Sequence, residues 1–494
     1  MTLVCGVDSS TQSTKVELRR TDTGKLVASG SAPHPATTPP SSEQDPGAWW
    51  DALMQALSQV HEHLGDVTAM SVAGQQHGLV VIDDEGAVIR PAKLWNDTTS
   101  APQADRLRNA MQATAWANRC GLVPVASFTI TKLAWLAENE PENLARVARV
   151  MLPHDYLTWF LTGEHVTDRG DASGTGWWNA KTGYRADLLD HAVPNSDEWL
   201  SRLPKVLGPT AAAGTLRPAI ASALGMRDDV LVGPGTGDNM AAALGLGLEP
   251  RDVAISLGTS GTAYAVSSRP VIDPTGAVAG FADATGNFLP LIATLNATKV
   301  TNTIASWLGT DASGLGELAM STDAAADGPV LVPYFDGERT PNLPEATGEF
   351  VGLRTSTTRA QIARAAHTGV VCGLLAGVDA LISADVDVTG TLRLVGGGAR
   401  SAAYQQILAD LWRRPVSVHA EGELVATGAC VQAAAIAIDA PIADIPSSWN
   451  LKEATRVEPT RGVDAAAIRQ AFTEASNRIQ RDFASADQGD SETR

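Results

Sequence analysis

Val4–Arg20 reads VCGVDSSTQSTKVELRR, a strand, a turn rich in Thr and Ser, and a second strand, and the turn TDTG follows it. Leu3–Val7 is apolar enough for a buried strand. Lys15–Arg20 and Leu26–Gly30 read as its antiparallel continuation. The pattern returns at Val253–Val266, VAISLGTSGTAYAV, with DPTG as the following turn. Set side by side, the two stretches place Thr11 over Thr259 and Thr14 over Thr262. Each half also has a strand that breaks at a Gly-rich turn and enters a helix. In the first half it is VLVGPGTGDNMAAALG (Val230–Gly245), and in the second LRLVGGGARSAAYQQILADLW (Leu392–Trp412). A repeat of this kind points to duplication, with two similar domains facing each other.

Length and charge agree. A chain of 494 residues exceeds the roughly 250–300 at which one core stops growing. Two domains are expected, at residues 1–248 and 249–485, with a disordered tail over 486–494. Lys and Arg number 37 against 55 Asp and Glu, for a net charge of −18. That balance disfavours nucleic-acid and anionic-membrane partners, which need a basic footprint, and suits a protein acting on small molecules. Cys5, Cys120, Cys372 and Cys430 form no CxxC and sit among apolar neighbours, as small buried residues of a reducing cytoplasm would. The opening LVCGV is too short for a signal core, and no apolar run of about 18 residues is present. Asp45 and Pro46 suit the start of a helix whose apolar face carries Trp50, Leu53, Met54, Leu57, Val60 and Leu64. Gly369, Gly373 and Gly377 stripe one face of a long helix over 358–383. They read as close packing inside a domain rather than as a membrane dimer seam.

Chemistry concentrates in a few loops. GVDSSTQSTK and SLGTSG are hairpin turns whose N–H groups and hydroxyls can cradle phosphate, and two in duplicated positions make a nucleotide clamp. A carboxylate at Asp8 would repel phosphate, so its useful role is to hold Mg²⁺ through water. LVGGGARS is a third bare turn, open to close approach by a flat ligand. Neither a Walker A pattern nor a dinucleotide fingerprint is present. AGQQHG sets Gln76 and His77 on a loop at a strand end, suited to sugar hydroxyls. LWNDTT adds Trp95, Asn96 and Asp97, a flat face beside polar tips. In GPGTGDNM, Asp238 stands alone at the mouth of a helix, where it could cap the helix, hold a ligand or take a proton. The helix end behind it is expected to lower its pKa slightly and keep it charged.

Together these motifs resemble those of the FGGY carbohydrate kinases, from residue 3 to about 440. The resemblance runs through SEQDPGAWW, AGQQHG, LWND, TKLAWL, LPHDYLTWFLTGE, TDRGDASGTGWW, GTGDNMAAALGLG, SLGTSGTAYAV, PYFDGERTPN and LVGGGARS. It implies an α/β protein of two actin-like, ribonuclease-H-like ATPase domains related by duplication and facing across a cleft. The implied activity is transfer of the γ-phosphoryl group of MgATP to a sugar. D-xylulose is the first choice, with L-ribulose, D-ribulose, gluconate or glycerol as alternatives, and an actin-like assembly ATPase as a remote one. By position, the resemblance makes Asp238 the catalytic base and gives Gln76, His77, Trp95, Asp97 and Asn239 to the sugar. It gives Ser10, Thr11, Lys15, Gly258, Thr259, Ser260, Gly397, Gly398 and Ala399 to the nucleotide, and Asp8 to Mg²⁺. The implied partners are the sugar and MgATP, without nucleic acid or membrane, in a cytoplasmic protein that a homodimer would suit. Four positions depart from the family's usual pattern. Ser10 replaces a glycine of the first phosphate turn and Gln12 its serine. Gln76 stands where methionine is common, adding a hydrogen-bonding group. Thr99 stands where an arginine often ends the WND motif.

Overall fold

The computed structural model describes residues 2–491 except 324, 326, 420 and 421, with the backbone alone over 484–491. The chain forms two compact units that interleave in sequence. The first takes residues 1–249, 266–289 and 423–453, and the second takes 250–265, 290–422 and 454–494. The strands that matter to the site are β1 (Leu3–Ser9), β2 (Ser13–Arg20), β3 (Leu26–Pro33), β4 (Val67–Gly74), β5 (Gly214–Thr215), β6 (Leu231–Val232) and β7 (Thr236–Gly237) in the first unit. The second unit supplies β8 (Val253–Leu257), β9 (Gly261–Ala265), β10 (Phe288–Thr294), β11 (Leu392–Val395), β12 (Val416–Val418) and β13 (Thr455–Val457). The helices are α1 (Pro46–Ser58), α2 (Pro153–Thr162), α3 (Arg169–Ala172), α4 (Asp238–Gly245), α5 (Thr298–Trp307), α6 (Arg359–Ser383), α7 (Ala402–Trp412), α8 (Leu424–Ala437) and α9 (Ala465–Ser491).

In the first unit the sheet order is β5-β6-β4-β1-β2-β3, and β7 also pairs with β4. β1 runs antiparallel to β2 and parallel to β4. Every residue of β1 is buried, as its apolar run requires of a strand covered on both faces. One cover is α1. Asp45 caps it by accepting the Gly47 N–H at 2.9 Å, and Pro46 opens it. Trp49, Leu53 and Leu57 of α1 are fully buried in the core, each contributing about 1.5–3 kcal/mol of burial. α8 also joins this unit. Its Thr427 Oγ1 donates to Glu17 Oε2 at 2.9 Å, and Cys430 Sγ lies 3.4 Å from the Glu17 carbonyl.

In the second unit the order β10-β9-β8-β11-β12-β13 repeats the first. Three antiparallel strands lead, β8 and β11 pair in parallel, β12 follows in parallel, and an antiparallel edge closes the sheet. This shared order bears out the two ribonuclease-H-like domains expected from the repeat. It also revises one correspondence. β11, which ends in the GGG turn, occupies the place of β4, which ends in AGQQHG. β6, which leads to the GTGD loop, occupies the place of β12. The turns paired by sequence are thus one strand apart in the fold, because strand order follows long-range pairing rather than the look of the turn.

The four cysteines are buried and free. α6 lies where the sequence expects a long helix and begins after Thr358, which forms a capping box with Gln361. It is apolar and long enough to cross a membrane, but 67% of its most apolar window is buried in the fold. Gly369 and Gly377 lie close against Leu331 and Ile292, while Gly373 faces open space. α9 takes in residues 486–491 of the expected tail, and 492–494 lie outside the described residues.

Candidate active site

Asp238 is the first residue of α4, with Gly237 as its cap. The loop before it needs glycine at 235. There φ is +76°, and an added Cβ would stand 2.6 Å from both His154 Nδ1 and the Val72 carbonyl. β7 then pairs in parallel with Ala73 and Gly74, so the GTGD loop and the AGQQHG loop leave the same edge of β4 together. Asn239 joins them. Its Nδ2 donates to Gln76 Oε1 and to Asp238 Oδ1, each at 2.8 Å, and its backbone N–H donates to Asp238 Oδ1 at 2.8 Å. Gln76 is buried, and its Nε2 has no hydrogen-bond partner. A buried amide donor left unpaired costs about 1–3 kcal/mol, so this group is built to meet a ligand acceptor.

Burial, and then the negative charge of Asp8, push the Asp238 carboxyl up to about 7, with the Asn239 bonds pulling the other way. The sequence expectation of a lowered value is therefore corrected. A helix end supplies a fraction of a charge, whereas partial removal from water and a second carboxylate act more strongly against ionisation. Asp8 is the penultimate residue of β1 and is itself pushed up to about 6 by burial, against the pull of its Ser10 hydrogen bond and of Lys15.

Around Asp8 the first turn is already knit to its neighbours. Ser10 Oγ donates to Asp8. Thr11 Oγ1 donates to Gln75 Oε1 at 3.1 Å and accepts the Trp95 indole N–H at 3.0 Å. The turn, the substrate loop and the WND loop are thus brought together, with the Ser10 and Thr11 hydroxyls engaged inside the protein. Lys15 pairs with Asp8 in the β1–β2 register, but its ammonium meets Glu423 at 2.6 Å in a half-exposed ion pair. Asp97 is fully buried. It binds the equally buried Lys93 at 3.3 Å and accepts the Thr99 N–H at 3.0 Å and the Thr99 hydroxyl at 2.5 Å. Thr99, where the family often carries arginine, thus serves the Asp97–Lys93 pair. His77 adopts φ +65°, and its ring packs against Phe128 and Phe281 with centroids 5.3 and 5.2 Å away.

The second unit gathers its own three expected groups. The Gly258–Ser260 turn joins β8 to β9, and its Gly258 carbonyl accepts from Thr298 N (3.0 Å) and Oγ1 (2.8 Å) at the start of α5. Beside it stands the turn after β11. A Cβ on Gly398 would lie 2.6 Å from Leu257 and 2.8 Å from Thr298, so only glycine lets the two turns meet. Gly397 is exposed, and the Ala399 side chain is buried, leaving its backbone for contact. Thr259 is exposed at the tip. The arrangement offers bare backbone and the exposed Thr259 hydroxyl beside a helix N-terminus, the chemistry of a phosphate site.

Sequence reasoning missed the layer beneath Asp238. His154, the second residue of α2, is wholly buried among Asp155, Asp168 and Asp171. Asp168 caps α3 and accepts the Thr236 hydroxyl at 2.7 Å. The signal was present in LPHDY and TDRGD, where ionisable residues interrupt apolar or small-residue stretches. Nothing local says that the two motifs meet.

Residues 3–245 match the N-terminal domain, and residues 253–437 the C-terminal domain, of the FGGY family of carbohydrate kinases. The chain is 48% identical over 487 residues to xylulose kinase of Streptomyces coelicolor, covering 98% of each chain. It is 49% identical over 449 residues to xylulose kinase of Streptomyces rubiginosus, covering 90% of each. Among solved structures, xylulose kinase from Bifidobacterium adolescentis matches with a TM-score of 0.83 at 40% identity, over 96% of this chain and 99% of that one.

Proposed function

We propose that this chain, which belongs to the FGGY family of carbohydrate kinases, transfers the γ-phosphoryl group of ATP to D-xylulose, giving D-xylulose 5-phosphate and ADP. The observation that carries the reading is the Asp238–Asn239–Gln76 constellation. It combines a half-buried carboxylate near the working pH with an unpaired buried donor beside it.

Asp238 is the base. A sugar hydroxyl is a far weaker acid than a carboxylic acid, so its proton leaves late, as the new O–P bond forms. A carboxylate near 7 accepts that proton better than one near 3.8, and such assistance is worth about 10²–10⁴ in rate. Both Asn239 bonds fall on Oδ1, so Oδ2 is the oxygen assigned to the substrate hydroxyl. Gln76 Nε2 donates to the sugar, Asn239 fixes the acid, and Trp95 and His77 wall the sugar loop. Lys15 acts in its ion pair with Glu423, beside Asp8, and Asp97, itself part of the WND loop, in its pair with Lys93. In the first unit the Ser10–Thr11 turn offers its backbone to phosphate; in the second, Gly258–Ser260 offers backbone to phosphate and Gly397–Ala399 offers its own to adenosine.

Among the described residues no cluster of three or more His, Cys, Asp or Glu suits a metal ion. Mg²⁺ is commonly held by one or two carboxylates together with phosphate and water, and Asp8 beside Asp238 fits that donor set. Bound there by Asp8, the ion would offset the negative charge of the phosphates.

A coupled ADP-release assay over D-xylulose, L-ribulose, D-ribulose, glycerol and gluconate tests the reading. D-xylulose is expected to give the highest kcat/KM. Preference for another acceptor by tenfold or more would overturn the substrate assignment and leave the kinase chemistry intact.

A further inference from the structure

The buried layer under Asp238 is a connected chain of groups. The His154 ring places Nδ1 3.3 Å from Asp155 Oδ1, and Nε2 3.4 Å from Asp168 Oδ1 and 3.6 Å from Asp171 Oδ2. Asp168 runs on to the Asp238 loop, accepting the Thr236 hydroxyl at 2.7 Å through Oδ2. Asp171 runs to the substrate loop, accepting the His77 backbone N–H at 3.3 Å, with the His77 ring 3.6 Å away. Gly235 lies directly over His154 Nδ1. From the far side, Gln432 of α8 donates to the Gly235 carbonyl at 3.1 Å. One ring therefore sits between the two loops that carry Asp238, Gln76 and His77.

The charges explain why the ring is a histidine. Burial by itself lowers an imidazole, but Asp155, Asp168 and Asp171 outweigh it and hold His154 protonated, with a pKa of about 9. Burial raises both Asp155 and Asp171, and even with the His154 charge pulling the other way Asp155 stays at about 6 and Asp171 well above its ordinary value. Buried carboxylates with no cation among them would take up protons and lose these contacts.

We propose that His154 is a positioning residue whose positive ring clamps Asp168 and Asp171, and through them fixes the Asp238 loop and the substrate loop in one geometry. The proposal rests on the reading of Asp238 as the base. It acts on the chemical step: displacement of a reacting group by about 1 Å is enough to cost about 10²-fold. The ring touches neither substrate, and the Gly258 and Gly398 turns do not depend on it, so the Michaelis constant for ATP is spared.

The test compares H154Q, which keeps a polar side chain without charge, with H154K, which restores a cation. H154Q is expected to lose about 100-fold in kcat with D-xylulose while KM for ATP stays within about twofold, and H154K to recover to within about tenfold of the parent. Equal loss in both variants, or no loss in H154Q, would overturn the role of the charge. If H154Q does not fold, ¹⁵N resonances of the parent enzyme decide instead. At pH 7.5 both His154 ring nitrogens should be protonated, and a neutral tautomer contradicts the proposal. D238N is measured in parallel. If D238N keeps its kcat, the base reading fails. If D238N is inactive while H154Q matches the parent, only the His154 inference fails.

Discussion

Asp238 shows how far one residue's environment decides its chemistry. Burial and Asp8 hold its carboxyl at about 7, so activity depends on pH in a definite direction. As the proposed base, Asp238 must be ionised, so kcat/KM for the sugar should rise with pH along an acid limb near 7, which belongs to the Asp8–Asp238 pair. A limb near pH 4 would contradict this environment. Stability runs the other way. Between its ordinary 3.8 and about 7, the folded protein keeps a proton at Asp238 that the unfolded chain has lost, so stability falls as pH rises through that window. D238N should therefore melt above the parent at pH 8 and level with it near pH 4. Gln76 allows a second measurement. Q76M removes the unpaired Nε2 donor and should raise KM for D-xylulose about tenfold, a loss on the scale of one hydrogen bond, with a smaller change in kcat. An unchanged KM would remove Gln76 from the sugar site. Asp238, Asn239 and Gln76 were legible in the sequence through GTGDNM and AGQQHG. The upward pKa shift and the His154 layer were not, because both arise from burial and from contacts between segments distant in sequence.

At the scale of elements, two glycines separate the two halves of the chemistry. G235A places a Cβ against His154 and the Val72 carbonyl at φ +76°, which displaces the Asp238 loop. It should cost about 10²-fold in kcat with little change in KM for ATP. G398A instead drives a Cβ into Leu257 and Thr298, parting the two turns of the second unit. It should raise KM for ATP about tenfold and leave KM for the sugar nearly unchanged, as expected if backbone N–H groups there bind phosphate. Reversal of the two patterns in steady-state kinetics would contradict the division of labour. The hairpins β1–β2 and β8–β9 could be read directly, since each carries its turn residues and apolar runs within a short span. That the GGG turn corresponds to the AGQQHG loop and not to the GTGD loop could not. Only the pairing of β11 with β8, and of β6 with β4, shows which strand occupies which place in its sheet.

At the scale of the molecule, the repeat of strand order makes two domains, but the chain does not complete the first before starting the second. α8 lies late in the sequence yet belongs to the first unit, where Gln432 and Thr427 bind groups on β2, β4 and the Asp238 loop. A fragment of residues 1–248 should therefore lack a cooperative thermal transition, because the sheet face that α8 covers would be left to water. A sharp melt with native circular dichroism would show that this face does without the helix. The central claim is that Asp238 takes the sugar proton as the phosphoryl group moves from ATP. The most direct measurement follows D-xylulose and MgATP by ³¹P NMR with the parent enzyme and with D238N, alongside ATP binding by calorimetry. The parent should form one sugar phosphate for each ADP, and D238N none, although ATP still binds to it. Sugar phosphate formed by D238N at near the parent rate, or ADP released by the parent without sugar phosphate, would contradict it.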